Sequence, residues 1–93
     1  MLHLVFQSPI QKAVLERFDS GGDVIFLENA VLNLMKGSAI VQYLPNYCAY
    51  FALAEELTAR GISHTELLSC IKPIEYQEFV ALTIKNTVIQ TWN

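Results

Sequence analysis

The sequence predicts a three-layer α/β/α domain with a central, mainly parallel sheet of about five strands, and three observations predict it. Short apolar runs alternate along the chain with segments that carry helix caps and helical periodicity. Successive runs are separated by about 14 to 20 residues, the length of a crossover helix and far more than a hairpin needs. Hydrophobic residues make up 53% of the chain and charged residues only 16%, and the apolar runs are too short for helices, which suits buried strands.

The elements follow in order. Leu2 to Phe6 is too short for a helix and suits a buried strand. Ser8, Pro9 and Gln11 resemble a capping box with proline at the first helical position, and Ile10, Ala13, Val14 and Phe18 recur at helical spacing. They predict a helix over roughly residues 9–19. Gly21-Gly22-Asp23 ends it and leads to a second strand, Val24 to Leu27. Asn29 caps a short helix bearing Val31, Leu34 and Met35, with Lys36 and Gly37 at its end. Residues 38–47 read as loop with one helical turn at most.

Ala49 to Leu53 predicts a third strand running straight into a helix that opens with Glu55-Glu56 and stops at Arg60-Gly61. Ser63 and Glu66 form a second capping box, and Leu68 to Ile71 is the expected fourth strand. Glu75 and Glu78 cap the last helix, Ile74 staples onto Phe79, and Tyr76, Val80, Thr83 and Ile84 share a face with Phe79. Thr87 to Trp92 alternates and supplies the fifth strand. One domain over residues 1–93 accounts for this pattern, without internal repeats. The expected ligand edge comprises the carboxyl ends of the strands, at Gln7-Ser8, Glu28-Asn29, Ala54-Glu55 and Lys72-Pro73.

Composition excludes several classes of function. Six basic residues against nine acidic give a net charge of −3, and the basic residues are scattered, so direct grip on a phosphate backbone is not expected. The run Gly37 to Ala54 is interrupted by Gln42, Pro45 and Asn46 and is no membrane span. Without a targeting signal, and with two cysteines at no metal-ligand spacing, the expected location is the cytoplasm. The apolar excess of so small a chain predicts a partner or self-association. Its expected surface is Val31, Leu34, Met35, Ile40, Tyr43 and Leu44, although some of these belong to the core.

No complete catalytic site is legible. Cys70 is expected inside a strand as a small core residue, and Cys48 before a strand at the edge away from the ligand side. His3 and His64 lack any metal-like spacing to Cys, Asp or Glu, so no metal and no cofactor are expected. Glu55 and Glu56 suit a helix's first turn, with Glu56 one turn before Arg60. Gly21-Gly22 precedes a strand, the wrong side for a phosphate loop.

Several strings together resemble the TusB/DsrH family. They are Met1-Leu2-His3 leading to Ser8-Pro9, then Gly22-Asp23, then Leu53-x-Glu55-Glu56-Leu57-x-Ala59-Arg60-Gly61. The last is Ile74-Glu75-Tyr76-x-x-Phe79-Val80-x-Leu82-Thr83, before a terminal Trp92. The resemblance implies a DsrE/F/H-like fold and a role in sulfur relay. It implies a subunit that joins TusC- and TusD-like chains, and that acts indirectly with TusA and TusE in 2-thiolation of the tRNA wobble uridine. The family's relay thiol lies in TusD, or in the first helix of some DsrH proteins, where this chain has no cysteine. Ala30 stands where the family commonly has glycine, which narrows backbone approach at the Asn29 turn. A non-catalytic subunit is therefore the expectation. The alternatives are a persulfide carrier through Cys48 or a DsrH-like subunit of sulfur oxidation, and a stand-alone homo-oligomeric binding module.

Overall fold

A computed structural model describes residues 1–93. Five strands form one sheet: β1 (Leu2–Val5), β2 (Asp23–Phe26), β3 (Ala49–Leu53), β4 (Ile71–Ile74) and β5 (Ile89–Trp92). Their order is β4-β3-β2-β1-β5, and every neighbouring pair is parallel. The α/β architecture is as the connection lengths predict. Three α-helices accompany the sheet, α1 (Lys12–Leu15), α2 (Ala54–Ala59) and α3 (Tyr76–Lys85). Short 3-10 segments occupy Glu28–Asn33, Ala39–Tyr43 and His64–Glu66.

The two sheet faces are covered unequally. On one face Val5, Val24, Phe26, Tyr50, Ala52 and Ile71 pack with Leu15, Phe18, Val31, Leu34 and Leu57 into a core of 17 buried residues. Full burial of each large side chain contributes about 1.5–3 kcal/mol, so this face dominates stability. The other face has five buried residues, Leu2, Ile25, Leu27, Leu53 and Ile74, beneath Phe79 and Leu82 of α3. No residue of α3 is itself buried. A clasp holds the helix in place: Asp23 at the start of β2, only 5% exposed, accepts hydrogen bonds from Lys85 Nζ and Asn86 Nδ2, both at 3.1 Å.

Four local expectations change. The first helix shrinks to Lys12–Leu15, and Pro9 lies outside it. Gln11 is the N-cap residue there, and its own N–H is satisfied by Gln7 Oε1 at 2.7 Å rather than by Ser8. The short helix after Glu28 is a 3-10 segment whose N-cap is Leu27, not Asn29. The fourth strand begins where it was expected to end. It runs Ile71–Ile74 with Pro73 inside it, while Leu67 and Leu68 turn into the core ahead of it. Proline is tolerated because β4 is an edge strand. The capping boxes at Ser63/Glu66 and Glu75/Glu78 form as predicted. No helix is long and apolar enough to cross a membrane.

Candidate functional site: a thiol-lined cavity

Both cysteines open onto one cavity. It has a volume of about 500 Å³ at the amino edge of β3 and β4, and its lining includes Cys48, Tyr50, Cys70, Lys72 and Leu44. The register explains the meeting: Tyr50 pairs with Ile71, which brings the residues preceding both strands side by side although they lie 22 positions apart in sequence. Cys70 is exposed, which corrects its expected place in a strand core; it stands in the turn before β4 because that strand starts at Ile71. Cys48 precedes β3 at the amino edge, away from the carboxyl ends, as expected.

The two thiols have different chemistry. Cys48 is half-buried and its Sγ donates to Asp19 O at 3.3 Å. Burial pushes the Cys48 thiol above its ordinary value, with a smaller opposing contribution from the Tyr50 hydroxyl beside it. The Tyr50 hydroxyl in turn donates to Pro45 O, and burial raises its pKa strongly. At neutral pH Cys48 is therefore a protonated donor, while Cys70 presents the exposed thiol of this cavity. The sequence signal for this cavity was the strand register, which the misplaced fourth strand obscured.

The carboxyl edge holds polar groups that bond mainly to one another. Asn33 Nδ2 donates to Ser8 Oγ at 3.3 Å and to Ala30 O at 3.2 Å, while Arg60 Nε donates to Asn29 Oδ1 at 3.1 Å and pairs with Glu56. Ala30 is fully enclosed, so a larger group has no room at that turn. Glu28 is the one non-glycine residue with positive φ, at 53°, where β2 hands over to the 3-10 segment. The carboxyl end of β4 is at Glu75, so Lys72-Pro73 falls inside the strand and off this edge. A shallow cleft of about 300 Å³ lies beside Gln7, Arg17 and Trp92.

Other expected site residues are dispersed. Val31 and Leu34 are fully enclosed and Ile40 is 9% exposed, so these three fill the core and offer no contact surface. Met35 and Leu44 are partly buried against it, and Tyr43 is 45% exposed with the Lys12 ammonium 4.9 Å from its ring centroid. His64 lies in a 3-10 turn, and no three His, Cys, Asp or Glu side chains converge as a metal-binding group. His3 is different. Its ring is wholly buried, accepts from Trp92 Nε1 at Nδ1 over 3.2 Å, and faces Asp19 Oδ1 from Nε2 at 2.7 Å. Since Nδ1 accepts, the proton sits on Nε2 and is donated to Asp19. No spacing rule in the sequence links residues 3, 19 and 92.

Comparison with known proteins places these features in a family. Residues 5–89 match the family model described as DsrH like protein. The protein TusB of Shigella flexneri is 32% identical, the match covering 99% of this chain and 100% of that protein. The TusB proteins of Escherichia fergusonii and Escherichia coli O139:H28 are 32% and 31% identical over the same extents. With a family model matching residues 5–89 of the 93 and relatives alike from end to end, this chain belongs to the DsrH/TusB family.

Proposed function

We propose that this chain is a non-catalytic subunit of a TusBCD-type sulfur-relay complex that supports 2-thiolation of the tRNA wobble uridine in the cytoplasm. The observation that carries the reading is the end-to-end similarity to TusB proteins. Two structural features support it. The sheet face under α3 is only partly covered, leaving Leu4, Phe6 and Phe51 half-buried where parallel sheets normally bury both faces. The thiol expected as the relay candidate, Cys48, is held protonated by burial, which suits a chain that leaves the chemistry to a neighbouring subunit.

On this reading TusC- and TusD-like chains are the direct partners, TusA and TusE act through them, and tRNA is not bound by this chain itself. The test is co-expression of a tagged chain with TusC- and TusD-like subunits, followed by purification and measurement of 2-thiouridine in tRNA. Co-purification with both, and loss of thiolation on deletion, is the expected result. A chain that ignores both subunits and whose deletion leaves 2-thiouridine unchanged overturns the assignment.

The convergence of both thiols on one cavity favours persulfide carriage as a second reading. Mass spectrometry after incubation with a cysteine desulfurase and TusA tests it. An added sulfur that survives replacement of Cys48 by serine removes Cys48 from any relay.

A further inference from the structure

Cys48 and Cys70 are neighbours only in the folded chain. Tyr50 pairs with Ile71, so continuing that register outward sets Cys70 against Ala49 and diagonal to Cys48. Such a diagonal, across strands about 4.8 Å apart with a rise of about 3.3 Å per residue, spans about 6 Å between Cα atoms. A disulfide bridges Cα separations of roughly 4.4–6.8 Å. Strict strand alternation would send the two side chains to opposite faces of the sheet. Cys70 escapes it, because it lies in a tight turn ahead of β4 that the Ile71 N–H closes on Leu68 O at 3.0 Å. Both side chains therefore line one cavity. The Tyr50 hydroxyl stands near enough to both that charge on either thiol opposes its ionisation.

The cavity has the size and lining for a small organic molecule. Its volume of about 500 Å³ is in the range of small-ligand pockets, and Val41, Leu44 and Pro45 supply an apolar wall. Lys72 is the one charged residue of the lining, and it stands 67% exposed with the Glu78 carboxylate at 3.7 Å. That pairing leaves no net charge to select a charged ligand. A peroxide needs no apolar room, whereas the carbon arms of a small disulfide fill it.

We propose that this cavity is a thiol–disulfide exchange site, in which Cys70 attacks a low-molecular-weight disulfide and Cys48 resolves the product into a Cys48–Cys70 disulfide. In the first step Cys70 loses its proton and its Sγ bonds to one sulfur of the reagent. The reagent's S–S bond breaks, and one small thiol leaves carrying a proton. In the second step Cys48 gives up its hydrogen bond to Asp19 O, loses its proton and attacks Sγ of Cys70. The mixed disulfide breaks and the second small thiol leaves. Two protein thiols are oxidised to one disulfide, and one small disulfide is reduced to two thiols. The order follows from access, since Cys70 is exposed and Cys48 is half-buried. A disulfide of this kind in an intracellular chain is a reversible one. The site goes beyond the TusBCD reading and does not rest on it.

The test treats the reduced full chain with hydroxyethyl disulfide, a neutral probe that carries no sulfur for transfer, and follows intact mass and non-reduced peptide maps. The expected end point is a chain lighter by two hydrogens, with Cys48 and Cys70 linked within one molecule and restored by dithiothreitol. Cys48→Ser should stop at a mixed disulfide on Cys70, and Cys70→Ser should react at least about tenfold more slowly. The internal link should also form at least about tenfold faster in the folded chain than in urea, because the fold supplies the approach. A wild type that stops at the mixed disulfide overturns the proposal. So does a link between two chains, a folded Cys70→Ser variant as fast as the parent, or equal rates with and without urea. Should a serine variant not fold by circular dichroism, the wild-type time course decides: a Cys70 adduct must precede the internal link.

Discussion

His3 and Asp19 meet at 2.7 Å with the imidazole wholly enclosed and the carboxylate 40% exposed, so a buried donor depends on a surface acceptor. Asp19→Ala leaves the Nε2–H of His3 buried without a partner, which costs about 1–3 kcal/mol. Urea denaturation should show the loss as a lower midpoint with an unchanged slope.

The same contact gives stability a defined dependence on acid. The hydrogen bond from His3, followed by the N-terminal amine, holds the Asp19 carboxyl below its ordinary value of 3.8. A depressed folded-state pKa means that the contribution is complete above about pH 4 and is lost as pH falls through the folded value. Solvent screening at a group this exposed keeps the effect below about 1 kcal/mol. Stability curves measured between pH 5 and pH 2 should therefore be flatter for Asp19→Asn than for the parent chain.

Trp92 shares the same ring from the opposite side, since its indole donates to Nδ1. Trp92→Phe keeps most of the apolar contact and removes that donor. A double-mutant cycle with Asp19→Asn should show a coupling of about 0.5–3 kcal/mol, because both changes act on one imidazole. Additive losses would show that the ring does not transmit one bond to the other.

The two thiols should react in a fixed order. Iodoacetamide is expected to label Cys70 first and Cys48 at least about tenfold more slowly, because one is exposed and the other is a desolvated donor. Its raised pKa also means that the Cys48 rate keeps rising above pH 9, where an ordinary thiol has begun to level off. Peptide mapping of a labelling time course measures both rates.

The clasp on α3 should control local opening. Asn86→Ala removes a donor to the buried Asp23 carboxylate and the bond from Asn86 Nδ2 to Leu82 O, 2.9 Å long, that closes the helix end. The expected cost is about 1–2 kcal/mol, read as faster hydrogen exchange along Tyr76–Lys85 with β2 unaffected. Uniform acceleration through the sheet would show that the clasp acts globally.

Most of the architecture was legible because its signals are local. Ala49 to Leu53 and the Glu75/Glu78 capping box each carry their whole signal within a few residues, and both appear as read. The fourth strand slipped because Pro73 reads as a breaker to anyone who does not know that β4 lies at the sheet edge. Ser8 and Gln11 have the spacing of a cap, yet Gln7 reaches the same N–H. Val31, Leu34 and Ile40 looked like surface because an apolar 3-10 segment has no periodicity to say which side faces the core. The thiol cavity depends on the pairing of Tyr50 with Ile71, and a pairing between strands is written in no single stretch of chain.

The position of β1 between β2 and β5 has a consequence for how the chain is made. Val5 pairs with Phe26 on one side and with Trp92 on the other, partners separated from it by very different lengths of chain. Synthesis proceeds from the N-terminus, so β1 emerges from the ribosome first and can acquire one neighbour early, but its other flank stays open until the last strand appears. Leu2 and Leu4 spend that interval with apolar side chains and backbone groups unmatched. Pairing over so long a separation also slows closure once the strand is available. The nascent chain is thus most open to chaperones or wrong pairing just before β5 arrives.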